Sequence, residues 1–132
     1  MNTRRDAAAV AIGGAFGSMA RIGIGSLLPV STGMPWATFI ANIIGSAMLG
    51  MLVALPTGRS GGSNLRMPFL GIGFCGGLTT FSTLCFELFD LFQRGSVETG
   101  LAYASLSVVV GLGVAVSAHR LASKAIASRG AA

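Results

Sequence analysis

Acidic side chains are scarce in this chain of 132 residues: Asp6, Glu87, Asp90 and Glu98 are the only four, and charged residues of every kind make up 10%. A soluble domain carries about 25% charged residues, so the composition argues against one. The single histidine, His119, has no acid beside it. With no nucleophile–base arrangement, no metal-ligand cluster and no phosphate-binding loop, the chain lacks what an enzyme needs, and no catalytic residue is assigned. Cysteine is nearly absent too. Cys75 and Cys85 lie in one apolar segment, where ten helical residues separate them by about 15 Å. A disulfide needs Cα atoms within about 7 Å, so both are expected as free thiols. The four prolines, Pro29, Pro35, Pro56 and Pro68, all flank apolar runs.

What fills the chain instead is apolar, at 52% hydrophobic. Four stretches approach the roughly 20 residues needed to cross a bilayer: about 7–28, 36–55, 68–92 and 97–118. Their connections, 29–34, 56–67 and 93–96, carry the Pro, Gly, Ser and Arg of short loops. This predicts one all-α transmembrane domain over 1–132, a four-helix bundle. The first stretch follows Met1–Asp6 like a secretory signal but runs on apolar to Leu28, so it is read as a retained span. Apart from Arg21, the basic residues behind the net charge of +5 lie outside the apolar runs. That pattern sets membrane orientation rather than nucleic-acid binding.

Small residues recur four apart: Gly13/Gly17, Ala41/Gly45, Ser46/Gly50, Gly73/Gly77 and Ser107/Gly111. Such pairs let helix backbones approach where lipid gives no hydrophobic drive to associate. In the third span Gly76-Gly77-Leu78-Thr79-Thr80 joins two glycines to two β-branched residues, poor material for a straight helix. A helix break is expected at about 76–80. Inside a membrane it is tolerated only where protein, water or an ion satisfies the freed backbone groups, and such breaks often mark ion sites.

The polar residues of the spans are mostly uncharged donors. Arg21, near the end of the first span, either snorkels to the interface or draws anions into an aqueous vestibule. Asn42, with Thr38 four residues earlier on the same face, either joins helices or offers its amide donors to a pore. Thr80, Ser82 and Thr83 follow the expected break. Phe81 shares a helix face with Leu84, Cys85 and Leu88. It either packs or lines an anion path with its electropositive ring edge. Tyr103 and Ser107, four apart, present hydroxyls on one face of the fourth span. No acid clearly occupies mid-membrane, which counts against a proton-coupled exporter.

These residues resemble the CrcB/Fluc family of fluoride channels along nearly the whole chain. The likeness rests on Gly13-Gly14-Ala15-Phe16-Gly17 with Arg21, on Trp36-Ala37-Thr38 with Asn42 and Gly45, and above all on Gly76-Gly77-Leu78-Thr79-Thr80-Phe81-Ser82-Thr83 with Glu87. The resemblance implies an antiparallel dimer of four-helix subunits with two pores, lowering cytoplasmic fluoride by passive efflux across the cell inner (plasma) membrane. It implies a structural sodium ion at the dimer centre, held by the backbone carbonyls of Gly76 and Thr79. It places Asn42, Phe81, Ser82, Thr83, Tyr103, Ser107 and Arg21 along the anion path.

Two features depart from the family. Leu84 stands where the family's second pore phenylalanine is expected, so the path using that position loses a ring edge. With both ends on one side, that side holds Arg4, Arg5, Arg59, Arg66, Arg120, Lys124 and Arg129, against Arg21 and Arg94 on the other. This predicts one orientation with both termini cytoplasmic, and so an antiparallel partner that is a related subunit of opposite orientation rather than a second copy. The alternatives are a small secondary transporter of cationic compounds, which needs coupling acids in the bundle, and a non-conducting partner subunit of a heterodimeric fluoride channel.

Overall fold

The apolar runs fold as helices throughout. The computed structural model describes residues 3–28, 33–56 and 65–130, and among these there is no strand. Most of the residues in the connections expected at 29–34 and 56–67 lie outside the described ones. Helix α1 is Thr3–Leu27 and α2 is Trp36–Ala54; α3 comprises the π-helical Met67–Cys75 and the α-turn Gly76–Leu78; α4 is Phe81–Gln93 and α5 is Val97–Gly130. Four segments are long and apolar enough to cross a membrane: Thr3–Leu27, Trp36–Ala54, Met67–Gln93 and Val97–Ser128. The protein is an all-helical, multi-pass membrane protein. Many apolar side chains are exposed, as lipid permits, among them Phe86, Phe89, Val108, Val109 and Leu112.

Both outer helices exceed the hydropathy boundaries. Helix α1 begins at Thr3 rather than 7, with Asp6 in its first turn, where a carboxylate favours the helix dipole. Helix α5 continues beyond 118 to Gly130. The residues after His119 are rich in Ala, Lys and Arg, which keep helix propensity after hydropathy has fallen away.

Two parallel pairs build the bundle. Along α1 and α3 the glycines meet backbone to backbone: a Cβ at Gly13 would collide with the Phe69 carbonyl, one at Gly17 with the Phe74 carbonyl, and one at Gly77 with the Gly14 carbonyl. Along α2 and α5, Gly50 lies against the backbone of Ala115, and Ser46 stands beside Gly111. That register sets Asn42 level with Ser107 and Thr38 level with Tyr103. Helix α4 turns into α5 through Gly95, whose φ of +76° is the left-handed value that favours glycine. Gly95 N–H donates to Phe92 O at 3.0 Å and Ser96 N–H to Leu91 O at 2.9 Å, which closes the end of α4 as a Schellman motif. Leu84, Leu91 and Tyr103 form the small buried core between α4 and α5.

Candidate functional site

The site forms around two residues that are not helical. Thr79 (φ −81°, ψ 154°) and Thr80 (φ −149°, ψ 124°) have extended backbone between α3 and α4. In a continuous helix Thr80 N–H would bond Gly76 O, and Thr83 N–H would bond Thr79 O. Here Thr80 N–H donates to Asn42 Oδ1 at 2.8 Å, and Thr83 N–H donates to Thr80 Oγ1 at 3.2 Å, capping α4. The carbonyls of Gly76 and Thr79 thereby lose their helical donors. Gly77 O would have taken the N–H of Phe81; Arg21 Nε instead donates to it at 3.2 Å.

Asn42 holds the extended residue from both sides, since its Nδ2 also donates to Thr80 O at 3.1 Å. This pairing fixes which end of the amide is which, and it leaves one N–H of Asn42 for another acceptor. Gly45, one turn on, lets α2 come this close: a Cβ there would strike the Thr79 methyl. Thr79 Oγ1 is turned back on the Cys75 carbonyl at 2.9 Å. The first turn of α4 gathers hydroxyls around Thr80 Oγ1, with Thr83 Oγ1 at 2.9 Å and Ser82 Oγ at 3.3 Å.

One helical tier away, Glu87 is bracketed by hydroxyls. Thr38 Oγ1 donates to Glu87 Oε1 at 2.7 Å and Tyr103 OH donates to Glu87 Oε2 at 2.7 Å. The two bonds join α2, α4 and α5 through one carboxylate, and both oxygens are engaged. Tyr103 is therefore fully buried with its proton committed to Glu87. Sequence reasoning noted Thr38 and Glu87 but did not join them. The available signal was Thr38 on the face of Asn42, which has to meet whatever lies one turn further along α4.

A cavity of about 740 Å³ opens between α2, α3, α4 and α5. Of the residues singled out in the sequence, it brings together Asn42, Phe81, Ser107, Gly76 and Thr79, with Thr80 among them. Phe81, Leu84, Cys85 and Leu88 all line it, as their shared helix face requires. Among the described residues no charged side chain contributes to its wall. Ser107 Oγ is buried and makes no hydrogen bond among the described residues. Arg21, Ser82, Thr83 and Tyr103 lie outside the lining: Ser82 is on the exposed first turn of α4, and the other three are engaged as described above. Among the described residues no cluster of three or more His, Cys, Asp or Glu is placed to hold a metal.

Known proteins resemble the chain over most of its length. The family described as "CrcB-like protein, Camphor Resistance (CrcB)" matches residues 8–119. The chain is 40% identical over 114 residues to the fluoride-specific ion channel FluC of Thermus thermophilus, covering 85% of this chain and 90% of that one. It is 38% identical over 109 residues to the fluoride-specific ion channel FluC 1 of Mycobacterium bovis, covering 82% and 83%. It is 40% identical over 107 residues to the FluC of Novosphingobium aromaticivorans, covering 78% and 84%.

Proposed function

The chain belongs to the CrcB family, and on that premise we propose that it is a subunit of a fluoride-selective channel that carries the ion passively across the cell membrane. The observation that carries this reading is the cavity at the extended Thr79–Thr80 segment, walled by neutral donors and a phenyl ring with no charged side chain among the described residues. Fluoride is small and strongly hydrated, so a pore must replace its water with donors. Neutral donors and ring edges do this while still releasing the ion. Glu87 lies outside the cavity lining, with a hydroxyl donor on each of its oxygens. The same engagement argues against a coupling carboxylate for a cation exporter.

Within this reading, Thr79–Thr80 is the break of the third span. Ser107 Oγ, one N–H of Asn42 and the edge of Phe81 serve the ion directly. Ser82 and Thr83 extend the donor row along the first turn of α4. Tyr103 orders the path through Glu87. Arg21 keeps the end of α3 in place through Gly77 O and adds positive potential at the mouth.

The sodium ion that the family implies is a fit for this backbone. Gly76 and Thr79 carbonyls are deprived of their helical N–H partners by the bonds of Thr80 and Thr83, and main-chain oxygens suit a hard cation. In a two-fold or pseudo-two-fold pair each carbonyl position appears twice, so Gly76 and Thr79 together with the matching carbonyls of the partner would hold it. When bound, the ion supplies fixed positive charge that draws freed carbonyls together. Phe81 is 78% exposed on the single chain, as expected of a ring completed by a partner subunit. The charge bias of the ends favours a related subunit of opposite orientation as that partner, with both termini of this chain cytoplasmic.

Fluoride efflux from vesicles, with the chain alone and with a candidate opposite-orientation subunit, tests the function. Phe81→Ile keeps the bulk but loses the ring edge, and is expected to cut flux about tenfold, the scale of a 1–1.5 kcal/mol aromatic contribution. Wild-type flux in that variant removes Phe81 from the path. Accessibility labelling of both termini checks orientation: label from the cytoplasmic side alone is expected, and equal labelling from both sides refutes a fixed orientation.

A further inference from the structure

Three hydroxyl tiers run along the seam between α2 and α5, one helical turn apart. At the first, Thr38 and Tyr103 face each other across Glu87. At the second, Asn42 and Ser107 line the cavity, and Ser107 Oγ is buried without a hydrogen bond among the described residues. At the third, the α5 position is Gly111, which offers no side chain. A Cβ built at Gly111 would lie 3.6 Å from Ser46 Oγ, the nearest atom to it. Ser46 also lines the cavity, and its hydroxyl makes no hydrogen bond among the described residues. The hydroxyl missing from α5 at this tier is thus supplied from α2. One turn further, Gly50 sits against the Ala115 backbone and the seam is closed.

We propose that Ser46 is a further anion-path residue, its hydroxyl forming with Ser107 a two-donor station next to the one that Asn42 serves. A dehydrated fluoride needs more than one donor at each position. Ser107 Oγ is already desolvated with its proton uncommitted, and a buried hydroxyl without a partner is costly unless something occupies its cavity. Ser46 brings the second proton to the same wall. The proposal rests on the fluoride-channel reading, and the test separates the two.

Fluoride efflux from vesicles and fluoride-dependent thermal stabilisation of the purified protein, each with the opposite-orientation subunit present, are measured for the wild type, Ser46→Ala, and the double variant Ser46→Ala with Gly111→Ser. Ser46→Ala is expected to lower flux about tenfold, the scale of one hydrogen bond of roughly 1.4 kcal/mol, and to weaken the fluoride shift while leaving the fluoride-free melting temperature unchanged. The double variant returns a hydroxyl to the same tier from the other helix. The Gly111 site accepts a Cβ at ordinary contact distance, so recovery to within about threefold of wild type is expected, on an energy scale of about 0.7 kcal/mol. A packing role for Ser46 would not be rescued from α5. Wild-type flux and an undiminished fluoride shift in Ser46→Ala overturn the proposal alone. A wild-type chain that, together with the opposite-orientation subunit, neither carries fluoride nor is stabilised by it takes down the channel reading and this proposal together.

Discussion

Asn42→Asp is expected to lower fluoride flux by about a thousandfold while Asn42→Ala lowers it far less. The aspartate keeps an oxygen for Thr80 N–H, now 2.8 Å from Asn42 Oδ1. Its second oxygen takes the place of the amide nitrogen that donates to Thr80 O at 3.1 Å. Donor and acceptor become acceptor and acceptor, so half the clasp on the extended segment turns repulsive. The added charge matters more than the lost donor. A carboxylate on the cavity wall acts on a fluoride about 4 Å away with roughly 4 kcal/mol at an effective dielectric of 20, which is about a thousandfold in rate. Alanine removes the clasp and the remaining donor without adding charge, and is expected to cost about 2 kcal/mol, or some thirtyfold. The ordering of the two variants is the informative result. Equal flux in both would make Asn42 a structural clasp remote from the ion. Aspartate at wild-type flux would remove it from the path altogether.

The spans were legible because hydropathy over 20 residues leaves few alternatives in a chain so poor in charge. Glycine pairing was legible for a related reason: Gly13/Gly17 and Gly73/Gly77 repeat at the helical period, and those residues do meet backbone to backbone in the α1–α3 seam. Asn42, Tyr103 and Ser107 read alike as donors facing a pore, and the structure divides them. Tyr103 spends its hydroxyl on Glu87, Asn42 spends half its amide on Thr80, and Ser107 spends nothing among the described residues. A single sequence carries the donor but not its partner, because the partner lies 16 residues away for Tyr103 and 38 for Asn42. Ser46 went unread as chemistry for the opposite reason. Four residues before Gly50 it fits a small-residue packing pair, and only the glycine facing it across the seam shows that its hydroxyl has room. The length of α5 was hidden because hydropathy reports where the bilayer ends and not where the helix does.

The backbone contacts of the α1–α3 seam make Gly17→Val the most damaging single substitution expected outside the cavity. A Cβ at Gly17 would collide with the Phe74 carbonyl and lie 2.8 Å from Leu78 N. Neither neighbour is the flexible end of a side chain, so relief requires the two helices to separate. Separation would strip contacts from every glycine along the seam, since lipid offers no compensating drive for the helices to close again. Overpacking of this kind costs about 3 kcal/mol or more, enough to remove most of the stability of a small protein. The damage would not stop at the seam. Leu78 is the last residue of α3 before the extended Thr79, and Arg21, one turn beyond Gly17, reaches the Gly77 carbonyl. Gly23→Val is the matched control on the same helix, because a Cβ at Gly23 meets nothing within 4 Å. Thermal unfolding and gel filtration in detergent should show Gly17→Val aggregated or unfolded and Gly23→Val close to wild type. If both variants behave like the wild type, α1 and α3 do not touch backbone to backbone, and Arg21 loses the seam that brings it to Gly77.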